Sequence, residues 1–145
     1  MKIKDMIASK SSRVVFICPK VTLQGALCAM VENKIGALPI INGSGAVLGI
    51  ITERDIMREV FDGSRLDEKL VGDVMTREVI TGSPEDDIDY VMNKMAEGRF
   101  RHMPIIEGDR LIGIVSIGDV VKTQLDQTKT QFVNLVDYVT GSVSE

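Results

Sequence analysis

Apolar positions recur along this chain with two different periods. Leu23, Ala26, Leu27 and Met30 fall at i, i+3, i+4 and i+7, and Ile88, Val91, Met92 and Met95 do the same. That spacing lays one apolar stripe along a helix. Shorter apolar runs at 37–41 and 46–51 are separated by Asn42-Gly43-Ser44-Gly45, and those at 102–106 and 111–115 by Glu107-Gly108-Asp109. Each pair predicts an antiparallel hairpin. Short extended runs at 14–17 and 79–81 lead to Pro19 and Pro84, where helices are expected to open. In Ser83-Pro84-Glu85-Asp86-Asp87 the hydroxyl caps, the proline takes the first helical position, and the acids face the positive helix end. A second helix is expected from Thr52 or Ser116.

The two halves carry one pattern twice. Pro19 and Pro84 stand 65 positions apart, and the same step pairs both helical stripes and Pro39-Ile40-Ile41 with Pro104-Ile105-Ile106. One residue is lost in the hairpin loop, and a step of 64 then pairs Gly49, Ile50, Thr52 and Asp55 with Gly113, Ile114, Ser116 and Asp119. The predicted order is β-α-β-β-α, twice. Asp5-Met6-Ile7 and Asp73-Val74-Met75 suggest a short lead-in helix before each copy. The expected division is a first unit with its lead-in at 1–62, a linker at 63–71, a second unit at 72–126 and a helical tail at 127–145. After Asp119 the pattern stays helical, with Val121, Leu125, Thr128, Phe132, Leu135 and Val139 alternating four and three residues apart. Both a helix packed on its own domain and a dimer contact fit this seam of under three heptads. Gly141 is the expected end of that helix.

The chain has 145 residues, 44% hydrophobic and 26% charged, the balance of a soluble protein with a core. A unit of roughly 60 residues is marginal alone, so the copies should pack as a pseudo-symmetric α+β pair. A net charge of -4, no Trp and 4% aromatics argue against a nucleic-acid surface. No stretch approaches the ~18 apolar residues of a membrane span. Residues 1–10 lack the apolar centre of a signal peptide, so the cytoplasm is the expected compartment. Cys18 and Cys28 have no metal-site spacing and read as buried small hydrophobes in a reducing compartment.

Two short features carry candidate chemistry. Thr52-Glu53-Arg54-Asp55 and Ser116-Ile117-Gly118-Asp119 have the spacing of a capping box. A helix start also offers amides to phosphate, and an Asp one turn in offers two acceptor oxygens to a pair of ribose hydroxyls. The cap and a nucleotide site are compatible readings. Arg99-Phe100-Arg101-His102 brings two guanidiniums and an imidazole into four residues, fit either to neutralise phosphate or to form a solvated basic loop. The first copy has Lys34-Ile35-Gly36-Ala37 there, so any two pockets are unequal.

An enzyme is not expected. His102 is the sole histidine, no nucleophile–His–acid set follows from spacing, and no Gly-x-x-x-x-Gly-Lys loop occurs. The glycines between Gly43 and Gly49 imitate a dinucleotide-binding pattern but lie between two strands. No metal site is expected.

With these residues in view, the chain resembles a tandem pair of CBS domains, the regulatory module named after cystathionine β-synthase and often called a Bateman module. The Pro39 and Pro104 strands resemble the family's hydrophobic-Pro-hydrophobic strand. Gly49-Ile50-Ile51-Thr52-Glu53-Arg54-Asp55 and Gly113-Ile114-Val115-Ser116-Ile117-Gly118-Asp119 look like its Gly-x-x-Thr/Ser-x-x-Asp signature. The likeness is to the small standalone two-CBS type, as in plant organellar proteins and their bacterial relatives. It implies two units packed through their sheets and an adenine nucleotide or adenosyl ligand in the clefts between them: AMP, ADP, ATP, NAD(H) or S-adenosylmethionine. Asp55 and Asp119 would bind ribose, Thr52 and Ser116 would hold phosphate, and Arg99, Arg101 and His102 would contact phosphate. Ile17, Thr81, Ala37, Met103 and Pro104 would border the base. The resemblance further implies a disc-shaped homodimer, energy sensing, a separate regulated protein partner, and no required cofactor. A ligand-free interaction scaffold is the other reading.

Overall fold

A computed structural model describes residues 1–9 and 14–140. In chain order it contains α1 (Ile3–Ala8), α2 (Leu23–Asn33), β1 (Ala37–Ile41), β2 (Val47–Thr52), α3 (Glu53–Phe61), a single 3-10 turn (Val71–Asp73), α4 (Ile88–Gly98), β3 (His102–Glu107), β4 (Arg110–Ser116) and α5 (Ile117–Thr140). The class is α+β, with two small antiparallel sheets, β1-β2 and β3-β4.

The hairpins follow the repeat closely. Pro39 faces Ile50 and Pro104 faces Ile114, and both ladders slip at the same place, after Ile40 and after Ile105. Gly108 closes the shorter turn at φ 62, where a side chain would be strained.

The first strand of each predicted unit shrinks to one parallel bridge, Ile17 to Ile40 and Gly82 to Ile105. Gly82 lies one residue beyond the expected run and keeps the step of 65 from Ile17. The prolines do not open helices. Thr22 caps α2 by accepting the Gly25 amide hydrogen at 3.1 Å, and α4 starts after Asp87. Ser83 and Pro84 instead form a separate turn, in which the Ser83 amide donates to Asp86 Oδ2 at 2.8 Å. Local capping chemistry spent on that turn displaced the helix start by four residues.

The lead-in segments are exchanged. Ile3 and Met6 of α1 are buried in the core of the second unit, with Ile88, Val91, Met95, Met103, Ile105, Val115 and Val120. The Ile3 and Lys4 amides donate to the Asp86 and Pro84 carbonyls, and Ile88 N donates to Met1 O. Reciprocally, Val71 and Met75, which precede the second unit, are buried with Leu23, Leu38, Ile40 and Ile51 of the first. The expectation that each lead-in belongs to the unit it precedes is therefore corrected. The polar stretch between the copies is also tied down: Gln24 and Leu23 donate to the Leu66 and Lys69 carbonyls, and Lys69 pairs with Glu59.

Two further expectations change. Cys18 and Cys28 are free but exposed, not buried. Along α5 the seam residues Val121, Leu125, Phe132, Leu135 and Val139 are exposed, so the seam does not pack on its own chain. Gly141 lies outside the described residues.

Candidate functional site

Two clefts lie where the units meet, and each draws on both repeats. Cleft 1, of about 650 Å³, is lined by Ser116 and Asp119 from the second unit and by Val14, Val15 and Lys34 to Ala37 from the first. Ile7 of α1 and Ser9, which caps that helix, add to its wall. Cleft 2, of about 550 Å³, is lined by Thr52 to Asp55 from the first unit and by Thr76, Glu78, Val79, Ile80 and Gly98 to His102 from the second. Both volumes fall within the range of small-molecule sites.

Each hydroxyl–acid pair closes a capping box at the mouth of its cleft. Thr52 N donates to Asp55 Oδ2 at 2.9 Å, and Asp55 N donates to Thr52 Oγ1 at 3.3 Å. The Ser116–Asp119 pair repeats this at 3.0 and 3.1 Å. The first helical amide is also occupied, because Glu53 N donates to Gly36 O and Ile117 N to Arg101 O. Neither bond uses the second helical amide, which belongs to Arg54 in one repeat and to Gly118 in the other. That amide and the hydroxyl are the groups a phosphate would meet.

The loop before each Pro strand is held in an unusual conformation. Lys34 and Arg99 end α2 and α4 in the left-handed region, at φ 55 and 54. Glycine is the usual residue there. Both positions instead carry a long cation, and each residue lines its own cleft.

The sequence-derived site residues divide accordingly. Thr52, Asp55, Arg99, Arg101 and His102 meet in cleft 2, while Ser116, Asp119, Ala37 and, again, His102 meet in cleft 1. Arg99 and Arg101 thus share a cleft with the Thr52–Asp55 cap of the other repeat, while His102 lines both clefts, including that of the Ser116–Asp119 cap which follows it in the chain. Ile17, Thr81, Met103 and Pro104 are absent from both linings. Met103 and Pro104 are buried, Ile17 packs against the first core, and Thr81 is exposed. Val14 and Val15, with their 65-step partners Val79 and Ile80, take the wall positions expected of Ile17 and Thr81. The repeat step would have found them, since it pairs Ile17 with Gly82 and not with Thr81. Among the described residues no group of His, Cys, Asp and Glu could hold a metal ion, and no helix is long and apolar enough to cross a membrane.

The CBS domain family matches this chain twice, over residues 3–62 and 71–126. A CBS domain-containing protein of Arabidopsis thaliana, CBSX3, mitochondrial, is 36% identical over 125 residues. That match covers 83% of this chain and 61% of the plant protein, so the chain spans less than two thirds of that relative. The crystal structure of the CBS-domain containing protein ATU1752 from Agrobacterium tumefaciens superposes with a TM-score of 0.79 at 38% identity, covering 85% of this chain and 92% of that one. The CBS domain pair of protein MJ0100, solved in complex with 5′-methylthioadenosine and S-adenosyl-L-methionine, gives a TM-score of 0.79 at 25% identity. That match covers 88% of this chain and 98% of the other.

Proposed function

The chain belongs to the CBS-domain family as a tandem pair, and from that premise we propose that it is a non-catalytic regulatory module responding to an adenine nucleotide or adenosyl ligand. The observation that carries this reading is the composite build of the clefts. Each takes a hydroxyl–acid cap from one repeat and a loop with a left-handed cation from the other. A ligand seated there touches both units at once, so its affinity depends on how they sit together. A ligand shifts such an equilibrium only by its differential affinity for the two arrangements, and a composite site supplies that difference. The MJ0100 pair, solved with two adenosyl compounds, supports the ligand class.

In this reading Asp55 and Asp119 receive ribose hydroxyls, Thr52 and Ser116 receive phosphate, and the valine and isoleucine walls face the base. The signal passes to a separate protein. A homodimer completes the reading, supported by exposed apolar residues at repeat-equivalent positions: Met57 and Phe61 on α3, Val121 and Leu125 on α5.

A thermal-shift panel of AMP, ADP, ATP, NAD(H) and S-adenosylmethionine tests the proposal. A ligand at 100 times its dissociation constant stabilises the fold by about 2.7 kcal/mol. Asp119→Ala should remove the response that depends on cleft 1. No shift with any compound, with partner binding intact, would favour a ligand-free scaffold.

A further inference from the structure

Helix α5 does not end where its repeat counterpart does. By the step of 64, Phe61, the last residue of α3, corresponds to Leu125, yet α5 runs on to Thr140. The CBS match stops at residue 126, so the extension belongs to this chain and not to the repeat. Beyond Val120 no residue of α5 is buried. At a rise of about 1.5 Å per residue, positions 128–140 span about 20 Å.

Local preference does not hold so exposed a helix. Thr128, Thr130, Val133, Val136, Val139 and Thr140 are β-branched and only moderate helix formers. A helical segment of this length draws its stability from packing an apolar face. That face exists: Val121, Leu125, Phe132, Leu135 and Val139 form one exposed seam with Thr128. Thr128 enters the seam with its hydroxyl already donated to Gln124 O at 3.0 Å. The opposite side is ill suited to lipid, because Lys129 and Asp137 are the only charges between 127 and 140. A helix lying on a membrane surface carries a strongly basic polar face.

We infer that α5 pairs in parallel with α5 of a second copy along this seam, which sets second unit beside second unit. This deepens the proposed homodimer and rests on it. The seam runs without a break from Val121 and Leu125, which lie on the face proposed for that dimer. Length selects the occupant. A second copy laying its α3 against α5 would leave Phe132, Leu135 and Val139 uncovered, since α3 stops at the counterpart of Leu125. Only another α5 has a seam that matches. Charge selects the direction. With Leu125 and Phe132 at heptad position a, and Thr128 and Leu135 at d, Lys122 and Lys129 fall at e, and Gln124 and Gln131 at g. A parallel pair sets e against g, so Lys129 meets Gln124 of the second copy. An antiparallel pair sets e against e, and centred on this seam it brings the two Lys129 ammonium groups together, a destabilising like-charge contact.

Sedimentation equilibrium and cross-linking of the full chain test the pairing. The unaltered protein should be a dimer, and Leu135→Lys should raise its dissociation constant by about tenfold or more, because it places a charge in a seam that excludes water. Leu135 is exposed in the single chain, so this variant keeps the fold of each unit. Direction is read separately. In a Cys18→Ser/Cys28→Ser background, Val139→Cys should cross-link the two copies under mild oxidation, since a parallel pair places residue 139 beside its counterpart. An antiparallel pair would hold the two more than about 25 Å apart. A dimer that fails to cross-link through residue 139, or that Leu135→Lys leaves intact, would overturn the pairing while sparing the homodimer. A monomer at every concentration would overturn both. Co-sedimentation with phosphatidylcholine–phosphatidylserine vesicles in place of dimer formation would assign α5 to a lipid surface and overturn the pairing as well.

Discussion

Ser116 and Asp119 hold each other from both ends: the serine amide donates to Asp119 Oδ2 at 3.0 Å, and the aspartate amide donates to Ser116 Oγ at 3.1 Å. The same reciprocal pair joins Thr52 and Asp55. Each pair therefore starts a helix whether or not a ligand is present, and any ligand role is added to a structural one.

The two roles can be separated by substitution. Asp119→Ala removes the cap acceptor and should cost about 1 kcal/mol of stability in urea denaturation, the usual value of a lost helix cap. Asp119→Asn keeps an acceptor for Ser116 N but not the charge. It should retain most of the stability while losing adenosyl-ligand affinity in titration calorimetry. Equal losses of affinity and stability in both variants would leave only the cap.

Ile3 is fully buried in the second unit, so Ile3→Ala should cost about 2–5 kcal/mol, as buried large-to-small changes do. Hydrogen exchange should then show the amides of α4, β3 and β4 losing protection before those of β1 and β2. Damage confined to the first hairpin would contradict the exchanged packing.

Gly49 and Gly113 occupy matching places in their sheets but not matching spaces. A Cβ at Gly49 would stand 2.7 Å from both Met75 Sδ and the Thr76 carbonyl oxygen, whereas at Gly113 its nearest neighbour is Ile7 Cδ1 at 3.3 Å. Backbone yields less readily than the end of a flexible side chain. Gly49→Ala should therefore cost about 1–3 kcal/mol, the range for overpacking, and Gly113→Ala distinctly less. Paired denaturation curves read the difference directly.

Glu85 accepts from Lys2 at 2.9 Å and Lys4 at 3.2 Å, and these hydrogen bonds hold its carboxyl below the usual carboxylate range. Hydrogen bonding to Lys69 does the same for Glu59. A depressed folded-state pKa gives stability that is present above the unfolded value of about 4.3 and is lost as pH falls through the folded value. Lys2 and Lys69 are raised by the same partners, so their share is complete below about 10.4 and lost as pH rises through their folded values. Glu85→Gln should flatten both limbs of melting temperature against pH. Lys2, Lys4 and Glu85 are exposed, so their share should shrink with added salt, whereas the part-buried Glu59–Lys69 pair is screened less.

The hairpins were legible because proline, glycine and alternating β-branched residues specify them locally. The hydroxyl–acid caps were legible for the same reason, and the repeat step turned one cap into two. α4 starts later than the pattern predicts because Ser83 and Pro84 satisfy their own turn through Asp86, and α2 does so because a turn closed by Val21 N to Cys18 O spans Pro19; no period reveals either. The exchange of α1 and residues 71–75 was invisible because its causes are contacts distant in sequence, such as Ile3 N to Asp86 O and Val71 N to Val21 O. The clefts were half legible. Their caps and basic loop could be read from the chain, but which cap faces which loop is decided only when the units pack.

The exchanged lead-ins make chain order and spatial order different things. Residues 1–9 supply a wedge of the downstream unit's interior, and residues 71–75 return the same service upstream. A cut between the repeats would therefore not release two domains. It would leave two fragments, each carrying a plug that fits the other's cavity, so fragment complementation and not independent folding is the behaviour built into this topology.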